Sequence, residues 1–204
     1  MNVDYVLWAR KVVDNATTLK GIQGVEDEWE LNEGVSRSET FSQTASFQMD
    51  LDRPDDTVVL DSISNIDFLI VASPRLTEFL RNQDLKKVEY LPVTIFDHKG
   101  KPLPEKYFIV HPIDPIDCLD TAKCGATFSK INPESVKRLQ KLVIRNDLID
   151  GTTNTLSVGR LLFRPRNFYR ITFVHRNLAE AIDAAGFTGI RWVEIRDYPR
   201  PNRK

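Results

Sequence analysis

An α+β fold, with a mixed or antiparallel sheet and a few packed helices, is what this sequence predicts, and three observations predict it. Short apolar runs of strand type recur: Phe68–Val71, Val88–Phe96 and Tyr107–Val110. Helix starts of the cap-plus-proline kind stand at Ser73-Pro74 and Asn132-Pro133-Glu134. A strand, helix, strand pattern over Val71–Tyr90 recurs over Phe173–Trp192, 102 residues later.

The elements follow in chain order. Asn2–Val13 reads as an opening strand, and Gly21–Gln48 as a polar, turn-rich region with isolated aromatics (Trp29, Phe41, Phe47), expected on the periphery. After the buried strand at Phe68–Val71, Ser73 caps a helix with Pro74 in its first turn and Leu76, Phe79 and Leu80 on one face. That helix should run out near Asn82–Asp84. Within Val88–Phe96, Pro92 cannot donate to a sheet ladder and argues for an edge or a bulge. His98-Lys99-Gly100 then turns the chain into Tyr107–Val110. Asn132-Pro133-Glu134 should open a helix with Val136 and Leu139 on one face, ahead of the apolar stretch Leu142–Ile144.

The repeat pairs Leu76 with Leu178, Leu80 with Ile182, Leu85 with Phe187, Val88 with Ile190 and Tyr90 with Trp192. In the second copy Asn177 and Glu180 have capping-box spacing, and Gly186 stands where a helix end needs a left-handed residue. A βαβ-length crossover in each copy makes a pseudo-symmetric pair inside one domain, with chance similarity as the alternative.

Composition bounds the function. With 204 residues, 41% of them apolar and 28% charged, the chain buries its own core without needing metals or disulfides. The N-terminal apolar run Tyr5–Ala9 is too short for a secretion signal, and nothing approaches the roughly 20 apolar residues of a membrane helix. A cytoplasmic location is expected. Cys118 and Cys124, the only cysteines, have neither zinc-knuckle spacing nor enough histidine partners, so they read as structural thiols. The net charge of −1 hides an asymmetry. Residues 1–70 hold 5 Lys+Arg against 14 Asp+Glu, and residues 71–204 hold 23 against 15. An acidic third of this kind either offers a face to a basic partner or is neutralised on folding.

Chemistry is harder to find. No glycine-rich phosphate loop, nucleophile elbow or His-Glu-x-x-His motif occurs. His111, Asp114, Asp117, Cys118 and Asp120 gather donors within ten residues, but Pro112 and Pro115 prevent a helix that would align them. Loop capping is the plainer reading. His175, between a strand and a helix, has no identifiable partner and reads as a capping or packing residue. Arg160, Arg164, Arg166 and Arg170, beside Phe163, Phe168 and Tyr169, are the one hint of nucleic-acid binding, against a solvated turn between two strands. No cofactor or metal is expected.

The ordered series Phe68-Leu69-Ile70-Val71-Ala72-Ser73-Pro74-Arg75-Leu76, Tyr90-Leu91-Pro92-Val93, Tyr107-Phe108-Ile109-Val110 and Cys118-Leu119-Asp120 resembles the eleventh-numbered family of bacterial immunity proteins, formerly a domain of unknown function and assigned to polymorphic toxin systems. So does the ending, Ile171-Thr172-Phe173-Val174, Leu178–Ile182 and Gly186–Ile190. The resemblance is strongest over residues 60–195 and weaker over 1–59, within a single domain spanning 1–204. It implies a cytoplasmic, non-enzymatic protein that binds and neutralises a cognate toxin, encoded by a neighbouring gene, through a stoichiometric protein–protein complex. No catalytic or interface residues come with it. From charge and composition alone, Glu26, Asp27, Glu28, Glu30 and Glu33, with Trp29 as aromatic anchor, are the candidate partner-binding residues. The alternative is an enzyme or small-ligand protein with its pocket near His111–Asp120 or at His175.

Overall fold

The computed structural model describes residues 4–145 and 160–199. Twelve strands and three α-helices follow one another as β1 (Tyr5–Arg10), β2 (Thr18–Leu19), α1 (Trp29–Glu33), β3 (Ser46–Gln48), β4 (Ser62–Asn65), β5 (Ile70–Ala72), α2 (Pro74–Arg81), β6 (Val88–Phe96), β7 (Tyr107–Pro112), β8 (Thr127–Phe128), β9 (Val136–Arg138), β10 (Leu162–Phe163), β11 (Phe173–His175), α3 (Arg176–Ala184) and β12 (Ile190–Glu194). A 3₁₀ turn at Ile195–Asp197 follows. The α+β class is therefore as expected.

The strands form a six-stranded sheet of order β2-β4-β5-β7-β6-β3, a four-stranded sheet of order β10-β11-β1-β12, and a β8-β9 ribbon. The four-stranded sheet is antiparallel throughout, whereas the larger one is mixed, because β2–β4 and β3–β6 pair in parallel. β6 alternates cleanly: Leu91, Val93 and Ile95 enter one buried cluster with Val71 and Ile109, while Val88 and Tyr90 face another. Pro92 is tolerated because β3 pairs with β6 only from Thr94 to Phe96, which leaves the proline on a locally open edge.

The sequence repeat is a repeat of topology. In the first unit β5 and β6 run parallel with β7 between them, and in the second β11 and β12 run parallel with β1 between them. Helix α2 packs over β5 and β7, and α3 over β11 and β1. Each unit is thus a split βαβ with an antiparallel strand inserted, the inserted strand coming from just after the unit in one case and from the N-terminus in the other. All the paired positions meet in one cluster, where Leu76, Leu80, Leu178, Ile182 and Ile190 are buried. Across the seam, the rings of Phe79 and Phe187 meet edge to face at 5.1 Å. At Gly189 (φ 86°) a Cβ would lie 2.2 Å from the Ser62 carbonyl oxygen, so the second unit packs against β4 only around a glycine.

Local chemistry explains the helix ends. Ser73 Oγ accepts from Leu76 N–H (3.2 Å) with Pro74 in the first turn, and the helix stops at Asn82, as expected. For α3 the cap lies two residues before Asn177: His175 Nδ1 accepts from Asn177 N–H at 3.3 Å, and Gly186 takes the left-handed conformation after the helix.

Three expectations need correcting. Asn132-Pro133-Glu134 opens no helix: Asn132 Oδ1 accepts from Glu134 N–H in a turn, and Val136–Arg138 becomes β9, paired with β8. Side-chain capping of a backbone N–H serves a turn as well as a helix, and ribbon pairing takes the segment that follows. Phe68 lies outside the buried strand, half exposed at φ 57°. Gly21–Gln48 is not peripheral throughout, since Leu31 and Phe47 are fully buried and Phe41 nearly so, in one cluster with Leu91, Val93 and Ile95 of the six-stranded sheet.

Candidate functional site

The acidic stretch forms one exposed turn and short helix. Glu26, Asp27, Glu28 and Glu33 are exposed, and Trp29 leaves 55% of its surface in solvent. Glu30 differs: it is partly covered and ion-paired with Arg37, whose guanidinium also donates to the Glu26 carbonyl. Below the segment, anchors fix its orientation. Leu31 is its buried foot, Gly34 (φ 72°) ends α1 against Pro115 where a Cβ would come within 2.9 Å, and the Gly34 carbonyl accepts from Asp114 N–H at 3.1 Å.

Two buried basic side chains complete the anchorage. His111 donates from Nε2 to the Val35 carbonyl at 2.8 Å, its Nδ1 having no partner among the described residues. Burial lowers its pKa, and the nearby Arg164 and Arg37 work in the same direction against Glu89. Arg164 is 1% exposed and reaches Asn32 Oδ1 with one nitrogen (2.8 Å) and the Phe68 carbonyl with another (2.7 Å). Burial pushes its pKa down to about 10, with no carboxylate beside it among the described residues.

The His111–Asp120 donors are not brought together. Asp114 pairs with Lys87 (2.7 Å), Asp117 with Arg145 (3.3 Å) and Asp120 with Lys123 (2.9 Å), three separate surface pairs. Cys118 and Cys124 are buried free thiols; burial raises both, Cys118 to about 12, which leaves it a poor nucleophile. His175 is committed to capping α3. No group of three or more His, Cys, Asp or Glu side chains among the described residues is arranged to hold a metal.

The arginine stretch does not make a nucleic-acid stripe. Arg160 and Arg164 are buried, as are Phe163 and Phe168, so neither the charges nor the rings are presented together. Arg160 instead donates to the Ile113 and Asp114 carbonyls (2.9 and 3.3 Å), and Arg166 to that of Pro115 (3.4 Å). These arginines hold the 113–115 loop in place.

A cleft of about 360 Å³ was not anticipated. It opens between β1 and β12 on one side and β4 with the Asn65–Phe68 turn on the other. Arg10, Arg170 and Arg191 line it with Phe68 and Tyr198. A faint signal existed: Tyr169-Arg170 stands just before the second repeat, and Arg191-Trp192 ends it. Their convergence depends on the insertion of β1 between β11 and β12, a placement that no local pattern reveals.

With this geometry in place, comparison with known proteins decides the family. A family model for the immunity protein family Imm11 matches residues 12–197. The chain belongs to the Imm11 immunity protein family. No curated protein matches the chain. The Imm11 match begins well before residue 60, so it includes β2, α1 and β3 as well as both βαβ units, apart from the inserted strand β1. The acidic α1 segment is therefore part of the family's own span in this Imm11 chain. No helix among its described residues is long and apolar enough to cross a membrane.

Proposed function

We propose that this Imm11 chain is a cytoplasmic immunity protein that neutralises a cognate toxin by forming a stoichiometric complex with it, without catalysis of its own. The match over residues 12–197 is the observation that carries the reading. The toxin is the product of a neighbouring gene in a polymorphic toxin system, and residues 1–204 act as one domain.

We place the toxin contact on the α1 segment: Glu26, Asp27, Glu28 and Glu33 steer a basic partner, Trp29 inserts as the anchor, and Glu30 holds the segment to Arg37. Support comes from its exposure together with its rigid footing. A preorganised aromatic with an acidic rim loses little conformational freedom on binding. The test is co-expression with the neighbouring toxin gene, scoring growth rescue and co-purification. Rescue with a stable complex is the expected result; rescue with no complex would replace neutralisation by binding with reversal of damage. Exchanging Glu26, Glu28 and Glu33 for lysine should slow association at low salt by about tenfold or more. Unchanged kinetics would remove this segment from the interface.

A further inference from the structure

We infer that the cleft between the two units is a binding site for a small organic anion carrying a planar ring. Its size is the first reason: about 360 Å³ lies within the range of small-molecule sites, roughly 300–1,000 Å³.

Its lining is the second. The lining combines the apolar residues Leu7, Ile63, Ile70 and Val193 with three arginines, Arg10, Arg170 and Arg191. None of these arginines forms an ion pair with another described residue. Ser62, Ser64 and Thr172 also line the cleft. Guanidinium groups recognise carboxylate and phosphate oxygens in pairs and stack on planar rings.

The third reason is strain at the lip. Phe68 adopts φ 57°, a conformation disfavoured for a bulky aromatic, and still leaves 49% of its surface in solvent. The turn is held by three hydrogen bonds: Leu69 N–H to Asn65 Oδ1 (3.0 Å), Asn65 Nδ2 to the Leu69 carbonyl (2.7 Å), and buried Arg164 to the Phe68 carbonyl (2.7 Å). The result is an open ring beside the cleft, with the Arg170 guanidinium 5.6 Å from its centroid and Tyr169 edge-on at 6.3 Å. A strained aromatic fixed by a buried charge and left uncovered has the features of a ligand clamp.

The site is independent of toxin binding and is tested without a toxin. Isothermal titration of the full chain would compare phenyl phosphate with phenol and inorganic phosphate, each alone. One equivalent of phenyl phosphate should bind, tighter than either fragment by about tenfold or more. R170A and R191A should each weaken it by about tenfold. Phe68→Gly separates binding from structure: glycine relieves the positive φ, so this variant should melt no lower than the parent yet bind phenyl phosphate about tenfold more weakly. Equal affinity for phenyl phosphate and phenol, no binding at all, or parental affinity in the arginine variants would overturn the assignment.

Discussion

Exchanging Asp61 for asparagine probes the joint between the two βαβ units. Asp61 Oδ1 accepts from Ser73 Oγ (2.9 Å) and Arg75 Nε (3.3 Å), and Oδ2 accepts from Arg75 Nη2, Thr188 N–H and Thr188 Oγ1, each at 2.9 Å. One carboxylate thereby ties the start of α2 to the loop before β12. Burial on its own would raise the Asp61 pKa, but the Arg75, Thr188 and Ser73 donors outweigh it and hold the group down to about 2. Against an unfolded carboxyl near 4, this gap corresponds to about 2.5 kcal/mol. Arg75 is 57% exposed, so its share is screened and about 1.5–2 kcal/mol remains. Because the folded pKa is depressed, this stability is complete above about pH 4 and fades as the pH falls toward 2. Asparagine removes the charge and turns an N–H donor against donors. Urea unfolding at pH 7 should show D61N less stable by about 1.5–2 kcal/mol, and the difference should shrink by about half at pH 3. An equal difference at both pH values, or none at pH 7, would refute the electrostatic account of the joint.

Two further outcomes follow from the buried bases. His111 has a lowered folded pKa, so the protein should lose stability as the pH drops below about 6.5, where the unfolded imidazole charges first. Urea midpoints at pH 7.5 and 5.5 should diverge in the parent and converge in H111F; equal divergence in both would contradict this. For Arg164, R164M should cost about 3 kcal/mol by denaturant unfolding, because two oriented acceptors lose a charged donor. R164K should recover little of that, since an ammonium cannot span Asn32 and the Phe68 carbonyl as the planar fork does; full recovery would show that only the charge matters.

The two strand–helix–strand segments were legible because their signals are local. Ser73-Pro74 and Gly186 carry their conformations in their own chemistry, and the buried pairs from Leu76/Leu178 to Leu80/Ile182 recur at helical spacing. The first third was not legible, since β2 and β3 have two and three residues, too few for any period, and β3 is set by its parallel pairing with the distant β6. Arg164 was misread for another reason. Charge normally signals exposure, and a fully buried arginine serving a carbonyl and an amide leaves no trace in a linear pattern. The exposed acidic residues around Trp29 were readable as a group, but the anchors beneath them, Gly34, His111 and Arg164, come from three distant parts of the sequence.

The position of β1 bears on when the protein can act after synthesis begins. Trp8 pairs with Trp192, so the four-stranded sheet cannot close until the long stretch between these two residues has left the ribosome. At about 5–20 residues per second, the opening strand waits roughly 10–40 seconds for its neighbours. Meanwhile Tyr5, Val6 and Leu7 remain uncovered and available to chaperones. The first unit, by contrast, takes its inserted strand β7 from immediately downstream and can assemble while translation continues. A cell making this protein on demand therefore gains the second unit only after β12 is translated, long after β1, and a standing pool, made in advance, suits such a fold better than a rapid response.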